Sequence, residues 1–95
     1  MNVVHNPEAR RFEAIVEGQL CRLDYRIDEH DAEVMFSYTY VVPRLRGHGI
    51  AADLVRAGLD WAREQNLKVV PACSYVRSYM KRHPHTLDLL ADENP

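Results

Sequence analysis

Residues Val42 to Leu54 read "VPRLRGHGIAADL". Upstream of this stretch apolar residues recur every second position, and downstream they recur at helical spacing. The change of period marks a strand passing through a glycine-containing loop into a helix.

Working back toward the N-terminus, the chain reads as an antiparallel meander. Phe12, Ala14 and Val16 alternate with Glu13, Ile15 and Glu17, and Gly18-Gln19 reads as a turn. Cys21, Leu23, Tyr25 and Ile27 then alternate with Arg22, Asp24 and Arg26, the pattern of a strand with one buried face. A polar turn covers Asp28 to Asp31. A third strand, rich in β-branched and aromatic residues, runs from Glu33 to Val42 and closes at Pro43.

Working forward, Ile50, Leu54, Ala57 and Trp61 repeat at helical spacing, as do Ala51, Val55, Gly58 and Ala62. The helix is expected to run to about Gln65, with Asn66 as its stop. Lys68 to Cys73 reads as a short buried strand. Ser74 is the expected cap of a second helix carrying Val76, Tyr79, Met80 and His83, which Pro84 ends. A helical turn is expected over Thr86 to Ala91. Two strands joined by one helix should lie parallel. The fold class is therefore α+β, with a mixed sheet in which an antiparallel N-terminal meander precedes loop, helix, strand and helix.

Composition frames the function. The 95 residues are 46% hydrophobic and 27% charged, which fits a single globular domain over 1–95. No apolar run approaches the roughly 18–20 residues of a membrane span, and the start resembles no signal peptide. A cytoplasmic monomer, or a weak homodimer, is the expectation, with no membrane partner. Cys21 and Cys73 match no metal spacing, and His83-Pro-His85 lacks a third ligand, so no metal site is expected. Residues 1–43 carry four arginines against eight acidic residues, whereas 44–86 carry eight basic against three acidic. A basic half that starts at the glycine loop suits a small polyanion, while the acidic total argues against nucleic acid.

Two readings of the loop stand on its residues alone: a tight turn between strand and helix, or an anion cradle. Helix N-termini present unpaired N–H groups and a positive dipole end. Gly47 and Gly49 clear the approach, and Arg44 and Arg46 add charge at the rim. The P-loop pattern is absent. Gly47-His-Gly49-Ile-Ala-Ala52 matches a dinucleotide fingerprint, but the next strand ends Pro71-Ala-Cys73 without the required carboxylate.

Arg44-x-x-Gly47-x-Gly49, followed by Ile50-Ala51, resembles the pyrophosphate loop of the GNAT superfamily of N-acetyltransferases. "KVVPACSYV" and "KRHP" lie at matching distances, and Thr39 to Pro84 is similar to the small GNAT-like proteins of about a hundred residues. The resemblance implies acetyl-CoA (or coenzyme A) in a cleft where two parallel strands splay. It places the pyrophosphate on the backbone N–H groups of Leu45, Arg46, Gly47, His48, Gly49, Ile50 and Ala51, with Arg44 nearby. The pantetheine arm would pair with backbone near Tyr40 to Val42, and the Val41 N–H would face the oxyanion. The implied reaction is acetyl transfer to an amine acceptor of unknown identity, a protein or peptide lysine or a small amine. A CoA-binding module with little catalysis is the alternative.

Tyr79 matches the tyrosine of the family's Y-x-K-x-G-F helix and is implied as the acid for the departing thiolate. The match is partial, because His83-Pro84 replaces Gly-Phe. Cys73 ends one cleft wall, where a thiol serves either as covalent acyl acceptor or as a small lining residue. Tyr38 departs from a histidine carried by the small relatives, which leaves the general base unassigned.

Overall fold

The computed structural model describes residues 2–91. Its strands are β1 (Val4–Asn6), β2 (Arg11–Val16), β3 (Gln19–Asp28), β4 (Glu33–Tyr40) and β5 (Lys68–Pro71). Helix α1 (Ile50–Glu64) joins β4 to β5, and α2 (Ser74–Arg82) follows. The sheet order is sequential; β1 to β4 pair antiparallel and β4 pairs parallel with β5. The mixed α+β sheet expected from the sequence is the observed one.

Alternation in the strands sets the core. Phe12 and Ala14 of β2, Cys21, Leu23 and Tyr25 of β3, and Val34 and Phe36 of β4 are buried on one face. Ile50, Leu54, Val55, Gly58, Leu59 and Ala62 of α1 meet them. Gly58 lies where helix and sheet approach closely. A Cβ there would stand 3.0 Å from Leu23 Cδ2 and from two ring carbons of Phe36. The opposite face keeps Glu13, Arg22 and Asp24 only partly covered and leaves Ile15 and Tyr38 exposed.

Several boundaries differ from the sequence expectations. β1 is an added edge strand that the sequence reading missed; its three residues are too few to show a period. The first turn is Glu17-Gly18, one residue earlier than expected, because Val16 pairs with Gln19 and both turn residues take positive φ. β4 stops at Tyr40 and β5 at Pro71. Cys73, not Ser74, occupies the cap position of α2, and Arg77 N–H donates to its carbonyl. The tail forms a 3-10 turn over Pro84–Leu89, after which Leu90 bridges Val69 and covers the edge of β5.

One irregularity has large consequences. The β3–β4 register shifts at Asp24/Tyr25: Tyr25 faces Phe36, but Asp24 faces Tyr38. Ser37 is the extra residue of a bulge, its hydroxyl donating to the Asp24 carbonyl at 3.4 Å. Strict alternation would have put Tyr38 and Tyr40 on the core face with Phe36. The bulge reverses them, so Thr39 joins the core face opposite Leu23 while Tyr38 and Tyr40 stand opposite Asp24 and Arg22.

Candidate functional site

The parallel pairing of β4 and β5 ends at Phe36 and Pro71. One further backbone bond, from Cys73 N–H to the Phe36 carbonyl at 3.0 Å, closes the pair. Beyond it β4 continues through Tyr40 while the other chain turns into α2. The two strands therefore part on the side where the glycine loop enters α1.

Pro43–Leu45 forms a 3-10 turn after β4, and the chain then reaches Gly47 and Gly49 at φ +86° and +83°. Both glycines use left-handed backbone that side chains disfavour. A Cβ at either position would meet nothing within 4 Å, so the space above the loop is open. Gly47, Gly49, Ile50 and Ala51 line a cleft of about 360 Å³ together with Thr39, Val41, Leu45, Arg46 and Tyr75.

The N–H groups of the loop divide into two sets. Leu45 and Arg46 donate to the carbonyls of Val42 and Pro43, so their amides are already used. This narrows the expected donor set. Asp53 N–H makes the first intrahelical bond, to Gly49. Among the described residues, the amides from Gly47 through Ala51 have no backbone acceptor outside helix α1, and the first turn of that helix provides none. The open space and the free donors fit a pyrophosphate.

Side chains around the loop hold its shape. Arg46 Nε donates to the Val41 carbonyl at 2.9 Å, tying the loop to the end of β4. Arg44 turns away and pairs with Glu17 at 2.6 Å on the surface. Arg44 and His48 lie outside the cleft lining. Val41, one residue past the last β3 pairing, is buried and lines the cleft.

Cys73 stands half-buried behind Thr39, its Sγ 3.3 Å from the Thr39 hydroxyl. It is not among the residues that line the cleft. Burial pushes the thiol up, but hydrogen bonds from the Thr39 hydroxyl and the amides of Val76, Tyr75 and Thr39 outweigh it. The net displacement is downward, as suits a thiol at a helix N-terminus.

Tyr79 is buried, with its ring stacked on His83 at 4.0 Å between centroids. Burial raises its phenol above the ordinary value; Arg56 acts the other way, and Asp60, Tyr75 and Asp53 add to the rise. It is held protonated. The phenol that lines the cleft is Tyr75, one turn earlier. Sequence reasoning missed Tyr75 and Thr39. Tyr75 was legible only as a helical neighbour of Tyr79, and Thr39 acquires its place through the bulge.

Comparison with known proteins bears on the family and the fold. Residues 11–89 match the family model described as GCN5-related N-acetyl-transferase. Protein NATD1 from Homo sapiens is 39% identical over 96 residues, covering 88% of this chain and 75% of that protein. Protein NATD1 from Mus musculus is 31% identical, covering 88% and 77%. The NMR solution structure of a GCN5-like protein from Staphylococcus aureus superposes with a TM-score of 0.75, covering 98% of this chain and 90% of that one at 22% identity. That likeness concerns the fold, and the matched family model carries the membership: this chain belongs to the GCN5-related N-acetyltransferase family.

Proposed function

We propose that this protein is an acetyl-CoA-dependent N-acetyltransferase that moves the acetyl group directly to an amine. The observation that carries the reading is the splay of β4 from β5 beside a loop with open space above two glycines and a row of unpaired amides. Bound acetyl-CoA supplies an acyl group already activated as a thioester.

The chain's own groups have distinct tasks. Gly47 through Ala51 hold the pyrophosphate by main-chain donation. The edge of β4 near Tyr40 to Val42 receives the pantetheine arm, and the Val41 N–H faces the developing oxyanion. Arg46 fixes both by joining loop to strand. The amine nitrogen forms the C–N bond, and the C–S bond breaks with its electron pair going to sulfur. The amine sheds one proton to water, and a phenol of α2, Tyr79 or the cleft-lining Tyr75, returns one to the thiolate and is reprotonated from solvent through the open cleft. Burial raises the Tyr79 pKa, so its phenol is protonated at neutral pH, as an ordinary tyrosine is, and is a weaker acid than an ordinary tyrosine. Cys73 contributes to the acetyl end of the cleft through Thr39.

A CoA-binding module with little turnover is the second reading. It is favoured by one observation: no carboxylate or imidazole is among the residues lining the cleft. Thiol release from acetyl-CoA with a panel of amines decides between them. An enzyme accelerates release with at least one amine, and Tyr79→Phe lowers that rate more than it lowers acetyl-CoA affinity. Release at the buffer rate with every amine leaves the binding module.

A further inference from the structure

The cleft occupies one face of β4, and the other face carries a cluster that the cofactor does not use. Tyr38 and Tyr40 stand there together because of the Ser37 bulge. The Arg22 guanidinium lies over both rings, 5.4 Å from each centroid. Its Nε is 3.2 Å from both oxygens of Asp24, which anchors the side chain. Among the described residues these are its only hydrogen bonds, so both Nη groups keep their donors free. The Arg22 side chain is 30% exposed, so those donors are reachable. Thr39, between the two tyrosines, points to the cleft and Cys73. The cluster therefore flanks the place where the strands part, across the sheet from the cofactor loop.

We propose that Arg22, held over Tyr38 and Tyr40 and tethered by Asp24, is a carboxylate-binding site that selects an acceptor amine bearing a carboxylate, such as a free amino acid. A planar guanidinium with two free Nη groups matches a carboxylate in a forked, two-bond geometry. Arg22 occupies one face of each tyrosine ring, a face that would otherwise attract a bare ammonium. A polyamine arriving there meets a cation already in place, which costs it the site. The inference rests on the acetyl-transfer reading for where the acetyl group is delivered, but its test needs only binding.

The test is an NMR titration of the full chain with L-glutamate, glutaminamide and spermidine, observing Tyr38, Tyr40 and the Arg22 Nε–H. Glutamate should shift these signals saturably, at least tenfold tighter than either carboxylate-free amine. Arg22→Gln should abolish the preference, while Arg26→Gln, an exposed arginine of the same strand, should leave it intact. Equal binding of the three amines, tighter binding of spermidine, or an unchanged preference in Arg22→Gln would overturn the proposal. Adding acetyl-CoA to the same sample reports separately on Gly47 to Ala51. Silence there sinks the cofactor reading, whereas silence at Arg22 sinks this one.

Discussion

The Thr39 hydroxyl lies 3.3 Å from Cys73 Sγ, joining β4 to the first residue before α2 at the point where the parallel strands separate. The contact exists because the Ser37 bulge turns Thr39 toward the core face. It gives the one half-buried thiol of the chain a hydroxyl donor as well as helix amides.

Thr39→Val keeps the shape of the side chain and removes that donor. The thiolate loses stabilisation, so the Cys73 pKa should rise toward its ordinary value and alkylation at pH 7 should slow by about 3–10-fold. Iodoacetamide rates measured against pH check this, because Cys21 is fully buried and silent. Superimposable profiles for the two proteins would contradict it.

Gly58→Ala sets two effects against each other. Alanine favours a helix over glycine by about 1 kcal/mol. Its Cβ would press at 3.0 Å on Leu23 and Phe36, both fully buried, so each would have to shift within a packed core. Overpacking of a tight core costs about 1–3 kcal/mol. The packing cost should win, lowering Tm by several degrees in a thermal melt; a raised Tm would show that the helix–sheet contact is looser than it is here.

His5 makes stability depend on pH. Its ring stacks on Phe12 at 4.3 Å, and its Nε2 lies 2.6 Å from the Tyr25 hydroxyl. Burial lowers its pKa below the ordinary 6.5. The folded state thus takes up the proton less readily than the unfolded chain. The contribution is complete above the unfolded value and is lost as pH falls through the folded one. Tm should therefore drop between pH 7.5 and 5, and His5→Gln should flatten that part of the curve. Parallel curves for the two proteins would assign the drop to other groups.

The fold was readable wherever periodicity ran long enough to identify an element. The alternation from Cys21 to Tyr25 and the helical rows from Ile50 to Ala62 stand in the structure as read, while Ile27, near the end of β3, is exposed rather than buried. β1 escaped because three residues carry no period, and its place is set by pairing with β2. The glycine loop was legible for a different reason: left-handed backbone at Gly47 and Gly49 is written in residue type. Which amides stay free was not, since Leu45 and Arg46 lose theirs to a 3-10 turn that depends on Pro43. The facing of Tyr38, Thr39 and Tyr40 was hidden as well. A single extra residue opposite β3 reverses all three, and nothing in "FSYTY" announces it.

Cofactor binding at the splayed strands is the claim on which the rest stands, and an NMR titration with acetyl-CoA tests it most directly. Saturable shifts concentrated in the amides of Gly47 to Ala51 are the expected result. Gly49→Ala, which forces a side chain into left-handed backbone at a cost of about 1–2 kcal/mol, should weaken binding by roughly tenfold. Unmoved loop amides at millimolar acetyl-CoA, or shifts gathered elsewhere on the protein, would contradict it.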